Sequence, residues 1–292
     1  MDLITISNHL MTVTADARGA MLHSIRKDGV EYLWQADPKY WDMKDLNLFP
    51  YVARLNGGKY LFRGQVYSMA IHGFCVGADF EVTERSDSSV RLTLRDSQQT
   101  RKVYPFPFCF HVTYTLEENR LVKTCQVVNT GREELIFGLG SHPGFQVPLD
   151  GDGGFADWYL EFPERSTPTR VGFTMPDCLL SGLDQPYPLE DGLRLPLSHG
   201  LFDQDAIVLK ELPRSVTLKS DRSGRSVRVD YPDMPILGLW HMPKTDAPYV
   251  CIEPWLSLPS HHDYVEDLEK QADLIHLPAG EVYTNTITIT VT

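Results

Sequence analysis

Glu253 stands in the middle of Tyr249-Val250-Cys251-Ile252-Glu253-Pro254-Trp255, a run whose other members read as a buried strand. An ionised carboxylate taken out of water without partners costs many kcal/mol, so this acid must be paired, neutralised or turned toward a polar cavity. In strand geometry Val250 and Ile252 point to one face and Cys251 and Glu253 to the other, with Trp255 following on the side of the acid. A carboxylate beside an aromatic ring is one way to hold a sugar, the acid gripping hydroxyls while the ring covers the apolar C–H face. A structural ion pair or a strand end at the surface fits the same segment, and both readings stay open at this point.

Two histidines sit in backbone settings of the same kind. Ala70-Ile71-His72-Gly73-Phe74 places His72 before a glycine–aromatic step, and Gly138-Leu139-Gly140-Ser141-His142-Pro143-Gly144-Phe145 places His142 between glycines and a proline. Glycine and proline fix unusual backbone and bring main chain close to whatever the imidazole touches. A satisfied structural histidine is the alternative for each. A third segment, Gly200 to Leu209, feeds Asp203 and Asp205 into an apolar strand, where aspartates also serve simply to cap turns. His261-His262-Asp263 has metal-ligand residue types without a tetrahedral spacing, so a solvated loop is the expectation there and no metal site is assigned. No H-E-x-x-H, G-x-S-x-G, G-x-G-x-x-G or Walker pattern occurs, which leaves nucleotide cofactors and serine-hydrolase chemistry without support.

The elements that must position these groups are strands. Period-two alternation runs through residues 91–95, 108–116, 121–128, 226–230 and 286–292, with turn chemistry at Lys27-Asp28-Gly29, Asn56-Gly57-Gly58, Glu117-Glu118-Asn119-Arg120 and Asp221-Arg222-Ser223-Gly224. Helical periodicity is confined to residues 263–272, with a single turn over 38–42. The pattern predicts an all-β protein, one large antiparallel β-sandwich spanning residues 1–292, with the Pro- and Gly-rich stretch from Asp150 to Pro188 as a rim of that domain and not a linker.

A formal net charge of −12 over 292 residues excludes a polyanion as the main partner, so neither nucleic acid nor an anionic membrane surface is expected. The opening Met1-Asp2-Leu3-Ile4-Thr5-Ile6-Ser7 has no secretory character and no apolar run is long enough to span a bilayer, which predicts a cytoplasmic protein. Five dispersed cysteines without a C-x-x-C pair suit reduced thiols.

Residues 27–41, Leu48-Phe49-Pro50-Tyr51-Val52-Ala53-Arg54-Leu55, His72-Gly73-Phe74, Ser141-His142-Pro143-Gly144-Phe145, residues 201–206 and Cys251-Ile252-Glu253-Pro254-Trp255 together resemble the aldose 1-epimerase (galactose mutarotase) superfamily, and its LacX-like branch in particular. The resemblance runs in order from about residue 18 to the final strand. It implies a β-supersandwich fold of the galactose mutarotase type, a free aldose as substrate, and interconversion of its α and β anomers with no metal or organic cofactor. It implies Glu253 as general base, His142 as general acid, and His72 and Arg54 as substrate-holding residues. The family's third acid matches Asp205 or Asp203, with Asp205 favoured because it directly precedes the apolar strand. Ala53, Asp45-Leu46-Asn47 and Gly144 depart from the usual family pattern and bear on sugar preference.

For that chemistry a carboxyl beside Trp255 should have a raised pKa, and a neighbouring carboxylate should keep His142 protonated. Three other functions fit some of the same residues. A hexose-6-phosphate 1-epimerase needs a basic cluster, for which only Arg54, Lys59 and Arg63 are near the first motifs. A glycoside hydrolase needs a second carboxylate about 5 to 9 Å across the cleft. A non-catalytic sugar-binding protein needs the platform and hydrogen bonds alone. Either a monomer or a homodimer is compatible with the sequence.

Overall fold

The structure is a computed structural model that describes residues 2–151 and 153–292. Met1, at the start of the opening segment, and Asp152, within the glycine-rich part of the expected rim, lie outside the described residues. Two large antiparallel sheets, of nine and eight strands, form the expected β-sandwich. The alternating segments become its strands: Ser89–Arg95, Phe108–Glu117, Arg120–Asn129, Ser226–Asp230 and Val282–Val291 all belong to the nine-stranded sheet. Strand Arg120–Asn129 alternates buried and half-buried along its length, as a strand with one core face must. Strand Val282–Val291 lies between Arg120–Asn129 and Ser226–Asp230, so it joins strands from the two halves of the chain.

The eight-stranded sheet carries Tyr249–Trp255, buried at every position. Ile236–Trp240 pairs with one edge of this strand, and the other edge is shared by Gly140–Ser141 and Gly144–Gln146. His142 therefore occupies the short break between two strands that both hydrogen-bond to the strand of Glu253. Val250 and Ile252 enter the main core with Phe110, Val112, Tyr114 and Ile287, which leaves Glu253 on the opposite face, as the alternation requires.

A buried ion pair braces this break from behind. Lys123, 1% exposed, donates to the Ser141 hydroxyl at 2.8 Å and lies 3.8 Å from an Asp45 carboxylate oxygen. Ser141 is the residue before His142, and the His142 amide donates to the Leu46 carbonyl, next to Asp45, at 3.0 Å. Ion pairing and hydrogen bonding together are what make a lysine tolerable at this depth.

The helix expected over residues 263–272 does not form. That segment is a chain of turns in which Leu268 is buried, Glu266 reaches back to His261, and the Gln271 side chain bonds the Tyr51 hydroxyl. Those tertiary contacts outweigh weak local propensity. Among the described residues the one α-helix is the single turn Thr100–Val103.

Candidate active site

Glu253, His142, His72, Arg54, Asp205 and Trp255 line one cavity of about 440 Å³, within the roughly 300–1,000 Å³ common for small-molecule sites. They come from five separate stretches of the chain. Asp203 is an exposed residue at the end of the short 3-10 turn His199–Phe202 and is not in the cavity wall, whereas Asp205 is. A second cavity of about 540 Å³ shares none of these residues.

The centre of the site is a contact between His142 Nε2 and a Glu253 carboxylate oxygen at 3.3 Å, with both side chains almost wholly buried. Burial pushes the Glu253 carboxyl well above its ordinary value. The Trp255 indole opposes part of that rise without meeting hydrogen-bond geometry, and the charge of Asp205 adds to it. Burial also drives His142 well below the usual imidazole range, with His72 adding to the fall. The expectation that a neighbouring carboxylate would keep His142 protonated is thus not met in the free protein. Desolvation favours the uncharged form of both partners, and it outweighs their mutual attraction.

His72 stands 5.5 Å from His142, ring centre to ring centre, at 83°. Its Nδ1 accepts from the Ala53 amide at 3.2 Å while its own amide donates to the Ala53 carbonyl at 2.9 Å. With Nδ1 used as an acceptor, the neutral ring carries its proton on Nε2. Burial, reinforced by the Arg54 charge, brings the His72 pKa down to about 4, so it is a neutral donor at physiological pH. The next residue explains the glycine of this motif. A Cβ on Gly73 would lie 2.2 Å from the Phe49 carbonyl oxygen, a contact only glycine avoids.

Asp205 is tied on both sides: one oxygen accepts from the Ala206 amide at 2.9 Å, and the other lies 3.2 Å from Cys178 Sγ and 3.9 Å from Arg54 Nη2. Ala53, His72, Cys178 and Asp205 all have φ between 52° and 69°. Left-handed backbone at non-glycine residues costs about 1–3 kcal/mol apiece, and four of the twelve such residues among the described residues stand in the wall of this cavity.

Trp255 is at the cavity, as expected, but only 3% exposed. The more exposed aromatic walls are Trp41, stacked on His142 at 5.0 Å, and Trp240, edge-on to it at 5.8 Å. Neither was marked by residue spacing. Trp41 lies in the turn after Pro38, and Trp240 closes the strand neighbouring Glu253, so both emerge only from the pairing of distant segments.

Of metal-ligand types, His142, Cys251 and Glu253 bring three candidate atoms within 4.8 Å of one another, the one such grouping among the described residues. Two of its members are the acid and imidazole already in contact. His261 is not part of the site: it pairs with Glu266 at 2.6 Å and stacks on Tyr264.

An antiparallel sandwich with an acid–imidazole pair buried under a sugar-sized cavity defines a class, and the comparisons agree with it. The sequence model of the aldose 1-epimerase family matches residues 2–290, and the chain belongs to that family. It is 35% identical over 264 residues, 87% of this chain and 88% of the relative, to the chromosomal protein LacX of Lactococcus lactis subsp. lactis. A galactose mutarotase related enzyme from Lactobacillus acidophilus superposes with a TM-score of 0.94 at 34% identity, covering 99% of this chain and 97% of the other. A galactose mutarotase-like protein from Lactobacillus casei ATCC 334 gives 0.93 at 31%, covering 99% and 100%. The fold is therefore of the galactose mutarotase type. No helix among the described residues is long and apolar enough to cross a membrane.

Proposed function

We propose that this chain is an aldose 1-epimerase that interconverts the α and β anomers of a free aldose. The observation that carries this reading is the 3.3 Å contact between Glu253 and His142 at the base of the cavity. In the free protein the pair holds one exchangeable proton, resting on Glu253. Its transfer to His142 produces a carboxylate and an imidazolium side by side. Glu253 then takes the proton of the C1 hydroxyl as His142 gives one to the ring oxygen, the C1–O5 bond opens, the aldehyde end rotates, and closure on the other face reverses both transfers. His72 and Arg54 hold ring hydroxyls as donors and Asp205 as an acceptor, so the sugar is oriented before chemistry begins.

An unphosphorylated substrate is favoured over a hexose 6-phosphate. Arg54 is the one lysine or arginine in the cavity wall, and it already lies near Asp205. Arg63 is engaged elsewhere, with Glu133 and Glu269, and Lys59 is not in the wall. The hydrolase reading is weaker too, because it gives no task to the imidazole of His142 in contact with Glu253, or to His72 beside it.

Polarimetry on freshly dissolved α-D-glucose, α-D-galactose and α-D-glucose 6-phosphate, with and without protein, tests the reading. Faster relaxation of a free sugar than of the phosphate is expected. Binding of galactose with no acceleration would select a sugar-binding protein instead, and release of nitrophenol from a nitrophenyl glycoside would select a hydrolase.

A further inference from the structure

Asp205 meets a thiol as well as Arg54. We propose that Cys178 is a positioning residue for this site, its S–H fixing the Asp205 carboxylate so that the remaining lone pairs face a hydroxyl of the bound sugar. This inference rests on the aldose reading above.

A carboxylate has about four acceptor positions. The Ala206 amide takes one on Oδ1, and Cys178 Sγ lies 3.2 Å from Oδ2. Arg54 does not fix the group: its Nη2 is 3.9 Å from Oδ2, beyond hydrogen-bond distance, and its side chain is 45% exposed. Cys178 has a single side-chain torsion before its sulfur and sits on a held backbone. Its amide donates to the Thr174 carbonyl at 2.8 Å.

The loop that carries Cys178 is closed at its neck. The Ser181 amide donates to the Gly172 carbonyl at 2.9 Å, the Gly172 amide to Asp184 Oδ1 at 3.0 Å, and Lys210 Nζ grips Asp184 Oδ2 at 2.6 Å. Lys210 ends the strand that Asp205 introduces, so loop and acid share one frame. Phe173 and Cys178 of this loop line the cavity. Burial and the Asp205 hydrogen bond together push the Cys178 pKa up to about 12, which suits a donor and not a nucleophile.

Two kinds of measurement test the proposal. Cys178 is the one cysteine of the five that is not buried, so thiol alkylation of the folded protein reads it selectively. Asp205→Asn removes the negative charge and should raise the rate of alkylation by iodoacetamide at pH 8 by about tenfold for each unit by which the thiol pKa falls. An unchanged rate overturns the link between the two residues. In the mutarotation assay Cys178→Ala should raise KM several-fold with kcat nearly constant, and Cys178→Ser, which keeps a donor, should recover most of the lost KM. Equal defects in the two variants assign the effect to loop packing and overturn the proposal, as does a KM unmoved by Cys178→Ala. A wild-type protein that turns over no aldose would defeat the functional reading, and the alkylation arm then decides the Cys178–Asp205 link by itself.

Discussion

The Glu253 carboxyl and the His142 imidazole touch at 3.3 Å in surroundings that drive the first to keep its proton and the second to refuse one. Of the two groups in isolation the imidazole is the stronger base, so a proton shared between them would rest on the histidine. In the proposed reaction the proton therefore starts on the group assigned as base, and a transfer inside the pair comes first.

Glu253→Gln should cost about 10² to 10⁴-fold in kcat, the usual worth of a general base. Stability should move the opposite way at high pH. A carboxyl whose folded pKa is raised contributes stability that is fully present below its unfolded value and is lost as pH rises through the folded one. The Gln variant has no such loss. Thermal unfolding across pH 5 to 9 should show it at least as stable as wild type at the alkaline end, and a variant markedly less stable there would contradict the burial of a neutral acid.

The pH profile of kcat/KM should be a broad plateau across neutrality. His142 is lowered and Glu253 raised, so the pair keeps a single proton over a wider range than the isolated groups would, and the limbs belong to the pair. Its acid limb marks protonation of the imidazole and its alkaline limb loss of the carboxyl proton. In His142→Asn the alkaline limb should vanish: the residual rate needs the ionised Glu253, so it rises with pH through the raised carboxyl pKa and then levels off. A residual rate that still falls at high pH would take the base role from Glu253.

His72 and His142 should fail differently. Asparagine tolerates the left-handed backbone at position 72, so His72→Asn tests the side chain alone. Loss of one donor hydrogen bond, about 0.5–1.5 kcal/mol, predicts a KM roughly two- to tenfold higher. His142→Asn should act mainly on kcat. Steady-state rates that put both defects in KM would remove His142 from the proton transfers.

Gly238 lies opposite Glu253 in the neighbouring strand, where a Cβ would stand 2.9 Å from Trp255 Cζ2 and 3.3 Å from the Glu253 Cβ. Gly238→Ala should therefore destabilise the fold by about 1–3 kcal/mol, the usual cost of overpacking, and lower kcat by shifting the acid. A melting temperature equal to that of wild type would show that the indole moves aside freely.

The strands of the nine-stranded sheet that alternate were legible because they keep a polar face and an apolar face: Ser226–Asp230 forms over the very residues that alternate. Glu253 was legible because it breaks an apolar run, and His142 because glycines and a proline surround it. The turns over 263–272 were not, since Leu268, Glu266 and Gln271 imitate helical spacing while serving tertiary partners. Arg63-Gly64, the turn that actually joins strands Lys59–Phe62 and Gln65–Ser68, was hidden behind the stronger Asn56-Gly57-Gly58 signal. The Trp41 and Trp240 walls, the Cys178 contact and the left-handed backbone of Ala53 have no local signature. They exist only once distant segments meet.

Strand Val282–Val291 also governs the order in which the protein can be made. On a ribosome releasing about 5–20 residues per second, the Arg120–Asn129 strand is finished long before the strand that will cover its free edge. Ser226–Asp230 waits on the same late arrival. Until then two partial sheets present bare edges to solvent, the geometry that invites pairing between neighbouring chains. Nascent-chain crowding and chaperone supply should therefore weigh on the yield of this protein far more than the stability of its finished form would suggest.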